Sequence, residues 1–476
     1  MLPLPKIIQG GMGAGVSGWL LARAVSRAGQ LGVVAGTALD VILVRRLQMG
    51  DPAGHVRRAL SHFPIPDVVQ RILDRYYVPG GKADDAPFKP KPMPSERPSA
   101  ELEELLVAGN FVEVFLAKEG HDNPVGINYL EKIQVPTLPS LFGAMLAGAS
   151  FVLMGAGIPV AIPGILDQLA ERDAVELKLD VQGAHKGESF VTRFDPRRFN
   201  PGGAPALFRP SFLAIVSTAT VASVLARKAS GRVDGFVVEA PSAGGHNAPP
   251  RGRAPVSEGG EPVYGPRDAV DLSAFRDLGR PFWLAGSQAG PEQLIDALAA
   301  GATGIQVGTA FAFCSESGIA PQWKRDVIAR SQAGQLSVFT DPVASPTGFP
   351  FKVLPLAESL SEQAVFESRE RVCDLGYLRH GYRRDDGTLG WRCPGESLEL
   401  FERKGGDPEH TVGRKCVCNG LLANIGLAQV RSSGDQERPL LTAGDDVAGV
   451  ARFLPEGSST YDAQHVIDDL LPPDRV

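Results

Sequence analysis

Eight short apolar runs rich in Val and Ile, at residues 6–9, 31–35, 125–130, 151–154, 211–216, 234–239, 281–285 and 303–307, alternate with longer stretches of helical period. A strand covered on both faces reads as a short unbroken apolar run, and a parallel neighbour can be reached only through a long crossover, usually a helix. The alternation therefore predicts an α/β chain of repeated βα units. Helices are expected over 17–28, with Ser17 as cap before WLLARAV, over 163–172, opening on Pro163, and over 291–300, opening on Pro291 and closing on Gly301. Eight units point to a TIM (β/α)8 barrel. Residues 1–355, less two stretches outside the repeat, come close to the roughly 250 residues of a typical barrel.

The first of those stretches, 41–120, has a helical part followed by a Pro- and Lys-rich linker over 79–98, expected to be extended or mobile. The second, 173–205, alternates as AVELKLDV and ESFVTRF about a turn with Gly183 and Gly187, a hairpin pattern. Residues 133–166 contain no acid or base and are long enough to raise the question of a membrane span. Pro136, Pro139, Pro159 and Pro163 cut that stretch into short pieces, so it is read as a buried helix between two strands. Beyond 355 the rhythm stops, charge density rises and four of the five cysteines appear, which predicts a separate C-terminal module over 356–476.

A net charge of -6 argues against a general nucleic-acid or anionic-membrane binder, whose surface needs clustered Lys and Arg. Small-molecule chemistry is the better expectation. The start, MLPLPKIIQGGMG, lacks a charged leader followed by an apolar block, and five cysteines, an odd number, give no disulfide framework. A cytoplasmic protein is expected.

In a barrel the active site forms at the C-terminal ends of the strands, and a phosphate commonly sits in the loops after strands seven and eight. Those ends carry Gly11 and Met12, Asn128, Gly155 and Gly157, Ser217, then EAPSAGGH with Gly244, Gly245 and His246, then Gly286-Ser287 and Gly308-Thr309. Small residues at so many strand ends leave room for a broad planar ligand. The last two pairs offer open backbone N–H groups to a phosphate, which together suggests FMN. His246 can donate, accept or transfer a proton near neutral pH.

The chain resembles the nitronate monooxygenases, once called 2-nitropropane dioxygenases, in PIIQGGMGAGVSGWLLARAVSRAGQLGVVAG, VGIN, VVEAPSAGGH and GATGIQVGTAF. It is also similar to the trans-acting enoyl reductases of polyunsaturated fatty acid and polyketide assembly lines, whose histidine motif likewise runs into a polar turn, here HNAPPRG. The resemblance covers about 1–355 and implies an FMN-binding TIM barrel. It puts His246 beside the flavin, acting on substrate, and Gly286, Ser287, Gly308 and Thr309 at the phosphate. Gly11, Met12, Asn128, Gly244, Gly245 and Gln306 become further flavin contacts. Two departures stand out: AGS replaces the usual AGG after strand seven, and Pro241-Ser242 precede AGGH. TDPVASPTGFPF, residues 340–351, matches in position the segment that closes the flavin pocket, without its usual basic residue.

The activity implied is oxidation of nitronates or nitroalkanes through flavin and oxygen. The alternative implied is enoyl reduction on a carrier-bound acyl chain, with an acyl carrier protein as partner. A flavin-binding accessory protein without turnover is the reading from another class. A small-molecule substrate, no nucleic acid and no membrane are expected in each case, and a homo-oligomer is compatible with all three. Glu131 and Lys132 read as a solvated pair, His121 falls at the barrel's opposite end, and Arg251 and Arg253 read as a solvated loop that could attract an anionic tail.

Cys373, Cys393, Cys416 and Cys418 offer four thiolates, the right number for tetrahedral zinc or an iron–sulfur cluster, with His380 and His410 as substitute ligands. Their spacing is not that of paired Cys-x2-Cys knuckles. Thiols packed as small hydrophobes are the alternative.

Overall fold

All eight apolar runs form strands: β1 (Ile7–Gln9), β2 (Gly32–Ala35), β3 (Val125–Leu130), β4 (Phe151–Gly155), β5 (Ser211–Val216), β6 (Gly235–Glu239), β7 (Phe282–Ala285) and β8 (Gly304–Val307). The computed structural model describes residues 4–199, 206–252 and 255–472. Every strand pairs in parallel with its neighbours, in the order β1-β8-β7-β6-β5-β4-β3-β2. The ring is closed between β1 and β2 by a parallel bridge from Ile8 to Leu31, where Gln9 N–H donates to the Leu31 carbonyl at 2.9 Å. The chain folds as a (β/α)8 barrel.

The barrel's inside is a small core of its own. Ile8, Leu31, Val33, Leu153, Leu213, Val237, Trp283 and Ala285 pack together, separate from the larger core between strands and helices. Branched side chains from successive strands fill such an interior in layers, so the barrel has no pore. Trp283 is fully buried there, and its indole N–H donates to the Pro5 carbonyl at 2.8 Å, which removes the penalty of an unpaired donor.

The first crossover helix is Trp19–Arg27, and Ser17 is not its cap. Ser17 Oγ instead accepts from Met12 N–H at 2.9 Å and donates to the Gly10 carbonyl at 2.8 Å, which ties down the loop after β1. Glu113, from the helix Ala100–Lys118, accepts from Trp19 N–H and so performs the capping role. The helices at Ile162–Ala170 and Pro291–Ala299 lie where the sequence predicts them. Between β2 and β3 the chain forms four helices, and the linker over 79–98 has no helix or strand. That linker is pinned rather than free: Phe88 N–H donates to Gln429, and Lys91 pairs with buried Asp40 at 2.6 Å.

The hairpin forms from Val175–Lys178 and Val191–Phe194. Its turn contributes Val181–Gln182 as a parallel edge to the C-terminal hairpin His380–Arg383 and Leu389–Arg392. The rest of the C-terminal region packs across the strand ends through the helix Val417–Asn424 and the segment 439–446. Arg369 and Arg431 both bond the buried Glu437 carboxylate there. Among the described residues no helix is long and apolar enough to cross a membrane.

Candidate active site

A cavity of about 420 Å³ opens at the C-terminal ends of the barrel strands, within the range of small-molecule and cofactor sites. Gly11, Met12, Asn128, Gly244, Gly245, His246, Gly286, Ser287, Gln306, Gly308 and Thr309 all line it. Parallel strands in register bring these distant stretches together: Ala285 stands level with Glu239 on one side and Gln306 on the other. Gly11 has to be glycine, because a Cβ there would lie 2.4 Å from the Asn128 Cβ.

Three amide oxygens in the wall, Asn128 Oδ1, Asn247 Oδ1 and Gln306 Oε1, are buried with no hydrogen-bond partner among the described residues. Buried polar atoms are normally satisfied, so orphans grouped around one cavity mark a place where a ligand supplies the missing donors. The Asn128 and Asn247 amide nitrogens are already engaged, with the Gly11 and Ala243 carbonyls.

His246 follows β6 and is held from three directions. Its Nε2 lies 2.6 Å from Ser345 Oγ, its ring meets Phe351 edge-on at 4.8 Å, and its backbone bridges to Phe351. Burial, helped by the Lys132 charge, lowers its pKa to about 4. The imidazole is therefore neutral at pH 7, with Nδ1 left over for a ligand. Ser345 belongs to the 340–351 segment, whose Phe349 and Phe351 also line the cavity.

The glycine pair before His246 meets protein. A Cβ on Gly244 would lie 2.8 Å from the Ala443–Gly444 peptide, and Gly245, at φ 82°, donates its N–H to Thr442 Oγ1 at 2.9 Å. Both contacts are with the segment after Pro439, which also donates Gly444 N–H to Thr309 Oγ1. Thr309 in turn holds the Asp446 carboxyl, which burial raises.

Sequence reasoning passed over several wall residues. Helix Val417–Asn424 turns Val417, Cys418, Leu421 and Asn424 to the cavity, at the spacing of one helical face, and Tyr377 and Leu378 lie beside them. Glu239, the last residue of β6, is also in the wall, with burial raising its carboxyl to about 7. It lay within the motif EAPSAGGH, but nothing in the sequence says that its carboxyl is unpaired.

Glu131 and Lys132 do not form a pair. Glu131 accepts from Gln134, whereas Lys132 is exposed and stands 4.6 Å from the centre of the Phe349 ring. His121 bonds the Ala117 carbonyl ahead of β3, away from the cavity. The Arg251 guanidinium bonds the Ser217 carbonyl, and Arg253 lies outside the described residues.

The metal expected at Cys373, Cys393, Cys416 and Cys418 finds no support. Among the described residues no group of three or more His, Cys, Asp or Glu side chains is arranged to hold an ion, His380 and His410 included. All five cysteines are free, and the four line one small void together with Leu375, Leu378 and Val417. The hydrogen bond to Cys373, then burial, holds the Cys393 thiol well above its ordinary value, and burial pushes up Cys416 and Cys418. The same bond lowers Cys373, whereas Cys393, Cys416 and Cys418 stay neutral and pack as small hydrophobes.

Among solved structures, FabK from Thermotoga maritima aligns with 98% of this chain and 91% of its own, at 16% identity and a TM-score of 0.47. A nitroalkane oxidase from Streptomyces ansochromogenes aligns over 98% and 95% at 17% identity and 0.43. The enoyl reductase domain of MlnA, from the macrolactin biosynthesis cluster of Bacillus amyloliquefaciens, aligns over 97% and 91% at 11% and 0.46. No curated protein matches the chain. The family model described as nitronate monooxygenase matches residues 177–344, the part that carries β5 to β8 and His246, and this similarity marks the chain as an oxidoreductase.

Proposed function

We propose that the chain is an FMN-dependent oxidoreductase of the nitronate monooxygenase type, acting on nitronates or nitroalkanes. The observation that carries this reading is a neutral histidine, fixed by Ser345, in the wall of a cavity whose Asn128, Asn247 and Gln306 oxygens lack donors. The one N–H of a flavin ring and the hydroxyls of its ribityl chain are donors that could meet such oxygens. The residues present fit it: Asn128 and Gln306 would face the ring, with the Gly11 and Met12 backbone alongside. Gly286, Ser287 and Gly308 would offer backbone to the phosphate. FMN, when bound, supplies the two-electron acceptor and the means of using oxygen.

The chain's own residues orient and deprotonate the substrate. In the tautomer whose Nε2–H donates to Ser345 Oγ, His246 Nδ1 carries the lone pair and can take the α-proton of a neutral nitroalkane; in the other, Nδ1–H can donate to the nitro group. Ser345 Oγ lies 2.9 Å from Thr347 Oγ1, a second partner for the serine. Phe351 packs on the His246 ring, and Phe349, Val417 and Leu421 add apolar surface to the same lining.

One observation favours a second reading, enoyl reduction. Ile133, Ile158, Ile215, Val221, Leu378 and Leu421 add apolar side chains to the lining, more than a small nitroalkane needs and suited to an acyl chain. Such a chain would arrive on an acyl carrier protein.

Anaerobic mixing with a panel of nitronates and with NADH or NADPH tests both. The purified protein is expected to be yellow, to release FMN rather than FAD, and to bleach with nitronate. Bleaching by NADPH alone, followed by reoxidation with an enoyl thioester, selects the second reading. Bound flavin that no donor reduces points to an accessory protein, and a colourless chain that cannot be reconstituted with FMN removes the proposal.

A further inference from the structure

Cys373 and Cys393 stand at the two open ends of the C-terminal hairpin, one ahead of His380–Arg383 and the other straight after Leu389–Arg392. The antiparallel register, in which His380 faces Arg392, turns the chain back and returns Cys393 to the stretch that carries Cys373. Arg371 clips the two ends together, its guanidinium donating to the Pro394 carbonyl at 2.6 Å. Glu396 fixes the Cys393 backbone from the other side: its carboxylate accepts from Cys393 N–H at 3.3 Å, and its own N–H donates to the Cys393 carbonyl at 3.0 Å. The result is a hydrogen bond between the two thiols. Cys416 and Cys418 line the same small void.

The four thiols are not equivalent. Cys393 is buried, whereas Cys373 is partly exposed, so a small solute meets Cys373 first. Donation from Cys393 favours the thiolate at Cys373, the form of cysteine that acts as a nucleophile. Burial keeps Cys416 and Cys418 protonated, and Cys416 Sγ already accepts from Asn419 Nδ2 at 3.4 Å. An accessible thiol with a second thiol in contact behind it is the arrangement in which a sulfenic acid condenses to a disulfide.

The void backs onto the active site. Leu378, Val417 and Cys418 line both it and the main cavity, and Tyr377, which lies between the two cysteines in sequence, lines the cavity as well. An S–S bond of about 2.05 Å is much shorter than a contact between hydrogen-bonded thiols, so bond formation draws the stretch around Cys373 towards Cys393. Tyr377 and Leu378 belong to the loop that the bond would close.

We propose that Cys373 and Cys393 are a redox-active dithiol that hydrogen peroxide converts to a disulfide, and that this modification shifts the cavity wall at Tyr377 and Leu378. The Cys373 sulfur attacks one peroxide oxygen and the O–O bond breaks, leaving Cys373–S–OH and hydroxide, which leaves as water with the thiol's proton. The Cys393 sulfur then attacks Cys373 Sγ; the S–O bond breaks, and the hydroxyl leaves as a second water with the Cys393 proton. The dithiol is oxidised by two electrons and the peroxide is reduced to water. The pair needs no bound flavin, so the inference stands apart from the FMN reading.

The test uses the full chain, reduced, freed of reductant and treated with one equivalent of hydrogen peroxide. Free thiols, counted by alkylation, should fall from five to three per chain, and the intact mass should drop by two hydrogen atoms. A peptide map without reductant should join Cys373 to Cys393, and dithiothreitol should restore both thiols. In Cys393→Ser the reaction should stop at a sulfenic acid on Cys373 that dimedone captures, and Cys373→Ser should lose thiols at least about tenfold more slowly. Cys416→Ser should keep the link. Uniform loss of all five thiols, a link that maps to Cys416 or Cys418, or a metal ion held on the four thiols of the purified chain would each overturn the dithiol.

Hydrogen exchange reads the effect on the cavity without activity. Amides at Tyr377, Leu378 and Val417 should exchange at different rates in the oxidised and reduced wild type, and peroxide should leave those rates unchanged in Cys373→Ser. Identical exchange in the oxidised and reduced wild type would overturn the coupling to the cavity wall.

Discussion

His246 Nε2 and Ser345 Oγ stand 2.6 Å apart, joining the motif after β6 to a segment 99 residues further along the chain. The bond engages Nε2 and leaves Nδ1, and burial keeps the ring neutral. Replacing His246 by Ala should leave FMN bound and lower turnover of a neutral nitroalkane by about 100- to 10,000-fold, the usual range for a general base. Turnover of the preformed nitronate should fall much less. Steady-state rates with both forms check this, and equal losses would reduce the histidine to an orienting group.

Ser345→Ala removes the partner without touching the base. One net hydrogen bond is worth about 1 kcal/mol, so a loss of about fivefold in kcat/KM for the neutral substrate is expected. Flavin content should not change. A loss as large as that of His246→Ala would mean that Ser345 itself touches the substrate.

Lys132→Gln should raise the His246 pKa somewhat above about 4, because burial, the main cause of the shift, stays while the Lys132 charge that adds to it is gone. The acid limb of the kcat/KM profile should move to higher pH. The sign for stability follows from linkage: with the folded pKa depressed, the unfolded chain binds the proton first, so stability falls as pH drops from 6.5 towards 4. In the variant that window narrows. An unmoved acid limb would show that Lys132 does not act on the site.

Gly244→Ala pushes a methyl group to 2.8 Å from the Ala443–Gly444 peptide. Overpacking of this kind costs about 1–3 kcal/mol, read as a lower melting temperature. Displacement of the 439–446 segment would also free Thr442 from Gly245, so hydrogen exchange at Gly245 should speed up. An unchanged melting temperature and exchange rate would show that the segment does not press on the motif.

Much of this was legible because it is local. Each of the eight runs is short and apolar, and its length and its alternation with longer helical stretches set it apart from a buried helix segment. The hairpin over 173–205 was equally plain, since Val175–Lys178 and Val191–Phe194 alternate with period two. Ser17 misled: a serine before a helical pattern has the form of a cap, and only space shows that Glu113 reaches Trp19 first while Ser17 is spent on the β1 loop.

By itself the sequence determined the barrel and the set of strand-end residues around its mouth, because parallel strands of like length put their last residues in one ring. Tertiary structure alone decided what those residues meet. Gly244 and Gly245 give way to the Ala443–Gly444 peptide and Thr442, not to open space, because a chain stretch some 200 residues later returns across the strand ends. The four cysteines share a void with aliphatic neighbours and show no ion-holding arrangement, since a count of thiols carries no geometry. Glu239 reads as any strand-end acid until its surroundings are known. Burial raises its carboxyl to about 7 in a wall that carries no Lys or Arg among the described residues, and such surroundings have no signature along a chain.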